Sequence, residues 1–346
     1  MKKSRTAEGN SDRIWSMKFK RWHIIGVALL AAFLIVLVIT GCASSTDTQE
    51  RDLAKTPSIS SIIEETITQT PTATATPEPM QTSTQGPTAT LGRWAWRDMP
   101  AIPTALSENV FTIYELGLLM GNNPHAFSKV GDCSSSTPYF LENFDLGPDA
   151  YNLGEYGDLA ITIEYFSGSF ERESLAVKIG MSANAVLSPL WNDWKTCYAH
   201  ETPLDCEFRI HKPSFAIISV GTNDAMGTVP FEDSYRRVIT QTIGHGVVPI
   251  LVTKADNAEG NNHINEVIAR MAYEYELPLW NFWQAVQPLP NHGLYTLDHL
   301  SGNERVSFTD FEAKGNLNYG WPMRNLSALQ MLDAIRQMIL KHEAAQ

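Results

Sequence analysis

The chain has 346 residues, with 26 basic and 38 acidic side chains, a formal net charge of −12 and 43% hydrophobic residues. An acidic balance of this size excludes a nonspecific nucleic-acid binder, whose affinity comes from Lys and Arg neutralising phosphates. It carries no information about fold.

The chain opens with Lys2, Lys3, Arg5, Arg13, Lys18, Lys20 and Arg21, a basic leader. An apolar run follows, from about Ile24 to Ile39. It holds about 16 residues, against the roughly 20 that a spanning helix needs. The run ends in Ile39-Thr40-Gly41-Cys42. Small residues just before a cysteine resemble a bacterial lipobox. The expectation is a lipoprotein signal peptide over 1–42, cleaved before Cys42, whose thiol is lipidated. An uncleaved signal anchor is the alternative. In both, the basic leader stays inside and the remainder is exported. The protein is then extracytoplasmic and meets the membrane only through its anchor.

Residues 43–93 are rich in Thr, Ser and Pro, as in Pro71-Thr72-Ala73-Thr74-Ala75-Thr76-Pro77. Such a segment cannot bury enough apolar surface to offset its ordering entropy. It reads as a disordered tether. From residue 94 to 346 aromatic and aliphatic residues recur throughout. About 250 residues suffice for one domain with a substantial core. Without the leader's seven basic and two acidic residues, the charge is about 19 minus 36, near −17.

Of the four cysteines, Cys42 belongs to the leader's end. Cys197 and Cys206 are close in sequence, and in an exported chain they are expected to form a disulfide. Two buried free thiols are the alternative. No second Cys/His pair complements them, so no zinc site is assigned. Cys133 is then left unpaired, a liability outside the cytosol.

Five apolar runs read as buried parallel strands: 127–131, 175–179, 215–220, 247–252 and 277–282. Helical spacing of apolar residues appears over 231–244, 264–275 and 326–340, with Asn325 as the N-cap of the last. Strands alternating with helices imply a mostly parallel sheet covered on both faces. Ligands of such sheets bind beyond the strands' carboxyl ends. Gly131-Asp132-Cys133-Ser134-Ser135-Ser136 ends the first strand, with a helix expected from about Thr137-Pro138. A helix N-terminus there favours an anionic nucleophile.

At four places the sequence resembles the SGNH (GDSL-like) hydrolases. Gly131-Asp132-Cys133 is similar to the first block, with Cys where the nucleophilic Ser stands. Lys178-Ile179-Gly180-Met181-Ser182 resembles the second, whose Gly supplies an oxyanion-hole amide. Gly221-Thr222-Asn223-Asp224 matches the third, whose Asn side chain is the other oxyanion donor. Leu297-Asp298-His299-Leu300-Ser301 resembles the last, whose His is the general base. The resemblance runs in order from about residue 126 to 339. It implies a three-layer α/β/α sandwich on a flavodoxin-like, five-stranded parallel sheet. It implies attack by Cys133, with His299 as base and Gly180 and Asn223 receiving the oxyanion. No cofactor or metal is implied.

The chain departs from that pattern twice. Cys133 replaces Ser, and Thr296 stands three residues before His299, where the family has Asp. Asp298 is adjacent to His299, and neighbours in an extended segment point to opposite faces. Three interpretations stay open. Cys133 and His299 form a thiol-dependent acyl hydrolase or acyltransferase, since Cys–His systems work with a neutral third residue. Its thiol is then alkylated by iodoacetamide well below pH 8. Alternatively the site has eroded and the fold binds a cell-wall glycan or another envelope ligand without catalysis. In the third, Ser134 is a displaced nucleophile. Substrates on the first reading are small-molecule or glycan acyl esters. Oligomeric state is left open.

Other stretches have simpler readings. Asn223 also suits a plain turn. His125, His263 and His292 are the competing imidazoles. Lys254 to His263 reads as a polar loop, with ligation of a hard cation by its carboxylates and His as the alternative, although the spacing fits no EF-hand or zinc pattern. Trp94, Trp96, Trp280 and Trp283 are expected to pack in or beside the core, with a sugar platform as the alternative.

Overall fold

The structure is a computed structural model that describes residues 92–346, Thr137 excepted. The signal segment 1–42, Cys42 itself and the tether up to Leu91 lie outside the described residues. Among the described residues, no helix is long and apolar enough to cross a membrane.

Four parallel strands form one sheet in the order β1 (Asn123–Gly131), β2 (Pro213–Ser219), β3 (Val248–Val252) and β4 (Leu279–Trp280). The register pairs Val130 with Ile218, Ile217 with Ile250 and Leu251 with Leu279. The β2 and β3 runs are apolar without alternation because both their faces are buried. The sheet therefore has four strands, not the expected five. The run 175–179 makes only one parallel bridge, Gly131 to Val177. Its start is folded back by Ser174, whose carbonyl accepts from Val177 N at 3.2 Å and whose hydroxyl accepts from Ala176 N at 3.1 Å. A turn at Ile179-Gly180 ends it, with Gly180 at φ +82°. Too few residues remain for a ladder. Gly131 pairs with Ser219 as well, so the bridge sits on the edge of β1 away from β2. The chain changes direction across the sheet there, and a crevice opens at such a point.

The longer helices are α1 (Glu108–Leu119), α2 (Pro203–His211), α3 (Phe231–Gly244), α4 (His263–Glu274) and α5 (Gly320–Glu343). Ser107 caps α1 by accepting from Val110 N, and Thr202 caps α2 by accepting from Asp205 N. Helix α3 spans the expected residues, and α4 differs by one at each end. Helix α5 begins six residues before the expected Leu326. Pro322 lies in its first turn, where a missing N–H costs no intrahelical bond. Asn325 is therefore not an N-cap. It is buried inside α5, accepting from Leu141 N at 2.7 Å and donating to Tyr139 O at 3.0 Å.

Phe127, Phe166, Phe170 and Phe215 meet edge to face in the core. Each such ring contributes about 1.5–3 kcal/mol by burial. Trp96 and Trp280 are fully buried, and Trp96 packs edge-on against Trp283. Trp94 is half-exposed under the guanidinium of Arg97. Cys197 and Cys206 form a disulfide.

Candidate active site

Strand β1 delivers Cys133. A Cβ on Gly131 would lie 2.5 Å from Ser219 O and 2.6 Å from Ser135 Oγ, so only Gly lets the strand turn here. Asp132 then caps a single 3-10 turn, Cys133–Ser135. Its Oδ1 accepts from Ser134 N at 2.9 Å and from Ser134 Oγ at 2.8 Å. Ser136 Oγ donates to Cys133 O at 2.9 Å. These local bonds compete with helix formation. The helix expected from Thr137-Pro138 is absent among the described residues, where residues 138–139 form a turn. Cys133 consequently stands at no α-helix N-terminus.

Asn223 reaches this turn from the loop after β2. Its Nδ2 donates to Asp132 Oδ2 at 3.1 Å and to Met181 O at 3.3 Å. The blocks around Cys133, Gly180 and Asn223 thus meet at the carboxyl end of β1. Gly180 is exposed, and among the described residues its N–H donates to no protein acceptor. Asp132 is 2% exposed and, among the described residues, has no cation within 4.0 Å. Burial raises its carboxyl pKa, against the hydrogen bonds from Ser134 and the charge of Arg324. Asp224 accepts from Ala183 N through both oxygens at 3.1 Å. Burial, aided by the charge of Asp132, pushes Asp224 up to about 6.

His299 lies on a bend closed by a bridge between Leu294 and Leu300 and by Tyr295 N donating to His299 O at 2.8 Å. The backbone is not extended there, so the strand rule that set Asp298 aside does not hold. Asp298 Oδ1 lies 2.6 Å from His299 Nδ1, and Thr296 Oγ1 lies 3.1 Å from the same nitrogen. With Nδ1–H donated to the carboxylate, Nε2 is the free basic nitrogen. No hydrogen bond joins His299 to the Cys133 sulfur among the described residues. Of the competing imidazoles, His125 is at the amino end of β1, about 25 Å of strand away. Its Nδ1 is 3.2 Å from Tyr165 O. His292 Nδ1 is 3.1 Å from Gln287 O. His263 opens α4.

The Cys133 thiol is half-buried, and its pKa is raised. Burial is the largest cause, followed by the charges of Asp132 and Asp298. A backbone hydrogen bond and Arg324 oppose them. The direction is opposite to that expected beside a helix N-terminus. That Asp298 acts on the thiol also puts the His299 loop on the Cys133 side of the sheet. A small cleft there is lined by Ser134, Thr222, Asp298, Leu300 and Arg324.

Arg324 escapes notice in the sequence. It is 2% exposed, with no carboxylate within 4.0 Å among the described residues. Nε donates to Ser134 O at 2.9 Å and Nη2 to Ser219 Oγ at 2.8 Å. Phe140, Trp280 and Phe282 surround its guanidinium at 4.6, 5.2 and 5.1 Å. Burial lowers its pKa to about 10. The one available signal is a cation inside the apolar helix face that includes Leu326, Ala328 and Leu329. In the loop after β3, Lys254 Nζ donates to Asp256 Oδ1 at 2.7 Å and to Glu259, and Thr222 Oγ1 donates to Asp256 Oδ2 at 2.9 Å. One ammonium is thereby shared between the two carboxylates. Cys197, Cys206 and Glu201 cluster, but the disulfide occupies both sulfurs.

Among solved structures, the chain is similar to a crystal structure described as a GDSL-like lipase from Bacteroides thetaiotaomicron. The two are 13% identical, and the match covers 65% of this chain and 97% of that one with a TM-score of 0.37. No protein-family model matches the chain. No curated protein matches it either.

Proposed function

We propose that the chain is an exported acyl-ester hydrolase or acyltransferase, built on an SGNH-like three-layer α/β/α domain and held to the membrane by lipid on Cys42. The observation that carries this reading is the Asp298 carboxylate on His299 Nδ1. It supplies the charged third member that Thr296 cannot, and it leaves Nε2 free to take a proton.

With its pKa raised, Cys133 rests as a neutral thiol rather than as a thiolate. In the first step Cys133 Sγ attacks the acyl carbonyl as His299 Nε2 takes the thiol proton. Asp298 stabilises the imidazolium that results. The tetrahedral oxyanion is received by the Gly180 N–H and by Asn223 Nδ2, which exchanges Asp132 Oδ2 for it. Collapse breaks the ester C–O bond, and the imidazolium protonates the departing alcohol. A thioester remains on Cys133. Water, or an acceptor hydroxyl in a transfer reaction, then gives its proton to His299 and attacks that thioester. The product acid or new ester leaves as the thiol is reprotonated.

The test compares short-chain acyl esters and thioesters with the wild type, Cys133→Ala and Ser134→Ala. Activity lost only in Cys133→Ala supports the reading. Activity lost only in Ser134→Ala moves the nucleophile to Ser134, whose hydroxyl already bonds Asp132. Equal, near-background rates in all three favour a second reading, a binding module without catalysis. One observation supports that alternative: Asn223 spends its donor on Asp132 and Met181.

A further inference from the structure

A second, larger cleft of about 530 Å³ lies behind the His299 loop. Its volume falls in the range of small-ligand sites. Leu294, whose bridge to Leu300 closes the His299 bend, lines both this cleft and the smaller one beside Ser134 and Asp298. The two spaces therefore share a wall.

The lining is unusual for so acidic a chain. It holds no carboxylate and four amides, Asn291, Asn303, Asn316 and Asn318. Among the described residues, the Asn318 side chain makes no hydrogen bond. The Asn303 amide donates none either, while its Oδ1 accepts from Arg305 N at 3.2 Å. Asn316 is 2% exposed. Its Nδ2 donates to Ser307 O at 2.9 Å and Asp310 O at 2.7 Å, whereas its buried Oδ1 has no donor. Asn316 is therefore part of the cleft's wall, and the amides that can reach a ligand are those of Asn303 and Asn318. Tyr319 and Leu294 add apolar surface.

A cation would find no counter-charge in this lining, and an anion only the exposed Lys314. A neutral ligand that both donates and accepts hydrogen bonds, and has an apolar face, fits all of it. That is the chemistry of a sugar ring. We propose that the cleft is a saccharide subsite and that the acyl group processed at Cys133 and His299 is carried on a neutral glycan. The second half of this inference rests on the esterase reading; the first stands without it.

Titration calorimetry of the full-length protein in detergent, with tetra-N-acetylchitotetraose and separately with cellotetraose, tests the subsite. Saturable binding of at least one is expected. Asn318→Ala and Asn303→Ala should each weaken it about three- to tenfold, the loss of a hydrogen bond. Asn318 is on the surface, so its variant decides the matter if Asn303→Ala does not fold. No heat from either saccharide up to about 10 mM, the weak end of specific affinity, overturns the proposal. Binding of unchanged strength in the variants also overturns it, because the sugar then sits elsewhere. The heat is read without turnover, so a protein that binds saccharide but hydrolyses no ester refutes the esterase reading and leaves the subsite standing.

Discussion

The Asp298 carboxylate lies 2.6 Å from the imidazole of the next residue, His299. The bend between Tyr295 and His299 makes this contact between neighbours, and it is open to solvent, with the His299 side chain 64% exposed. An exposed carboxylate stabilises an imidazolium less than a buried one. Asp298→Asn should therefore lower kcat/KM for a soluble ester by about 10²-fold, less than the roughly 10⁴-fold loss seen when a buried triad Asp is neutralised. His299→Ala should lose at least as much. Wild-type rates in Asp298→Asn would remove the pair from the mechanism.

The thiol gives a readout that does not depend on substrate. Burial and the charges of Asp132 and Asp298 raise the Cys133 pKa. Iodoacetamide should alkylate the native protein with a pH midpoint above the value of about 8.5 usual for cysteine, which corrects the expectation of alkylation well below pH 8 drawn from a helix N-terminus that Cys133 lacks. Asp298→Asn removes one of the raising charges and should move the midpoint down. Mass spectrometry of the Cys133 peptide reads both. A native midpoint below pH 8 contradicts this account of the thiol's surroundings.

Asp224 makes stability depend on pH. Its folded pKa of about 6 lies above the unfolded carboxylate value of about 3.9. Between those values the folded state binds the extra proton, so this group's contribution to stability is fully present below about pH 4 and is lost as pH rises through 6. Asp224→Asn keeps an acceptor for Ala183 N and removes the titration. Its urea midpoint, relative to wild type, should rise between pH 4.5 and 7. A constant difference across that range rules out the linkage.

The Cys197–Cys206 disulfide closes a loop of about ten residues, for which chain entropy predicts a contribution of about 2–3 kcal/mol. A Cys197→Ser, Cys206→Ser double variant should lose that much in urea denaturation. A loss below about 0.5 kcal/mol would mean that the reduced chain already holds the loop.

Arg324 joins α5 to the ends of β1 and β2. Arg324→Ala leaves Ser134 O and Ser219 Oγ without their donor and opens a hole among three aromatic rings. Denaturation should report a loss of about 2–4 kcal/mol. Arg324→Met fills the space and removes the buried charge, so it should lose less. Equal losses in the two variants would show that the charge, not the packing, matters at this position.

The strand-and-turn blocks were readable because each is a local pattern. The run at 215–220 is apolar but for Ser219, that at 127–131 places Phe127 and Val130 around Ser128 and Lys129, and each ends in a polar turn that begins near Gly131 or Gly221. Helix α3 was equally plain from its periodicity. The run at 175–179 looked the same in sequence, but the hydroxyl of Ser174 and the positive φ of Gly180 reduce it to one bridge. Asn325 looked like a cap because Asn at the head of an apolar helical run usually is one. Its amide is instead consumed by the backbone of residues 139 and 141, about 185 positions away, which no local window contains.

The chain's own pattern determined which residues stand at the carboxyl ends of the strands, since apolar runs and glycine turns are written over a few consecutive residues. Only the tertiary structure decided their chemistry. The thiol's pKa is a sum of burial and of charges from Asp132, Asp298 and Arg324, three separate elements. The partner of His299 depends on a bend, and the amide-lined cleft exists only because residues 291–319 fold against one another. Fields and cavities are set by distances in space, and distances in space are what a linear order does not hold.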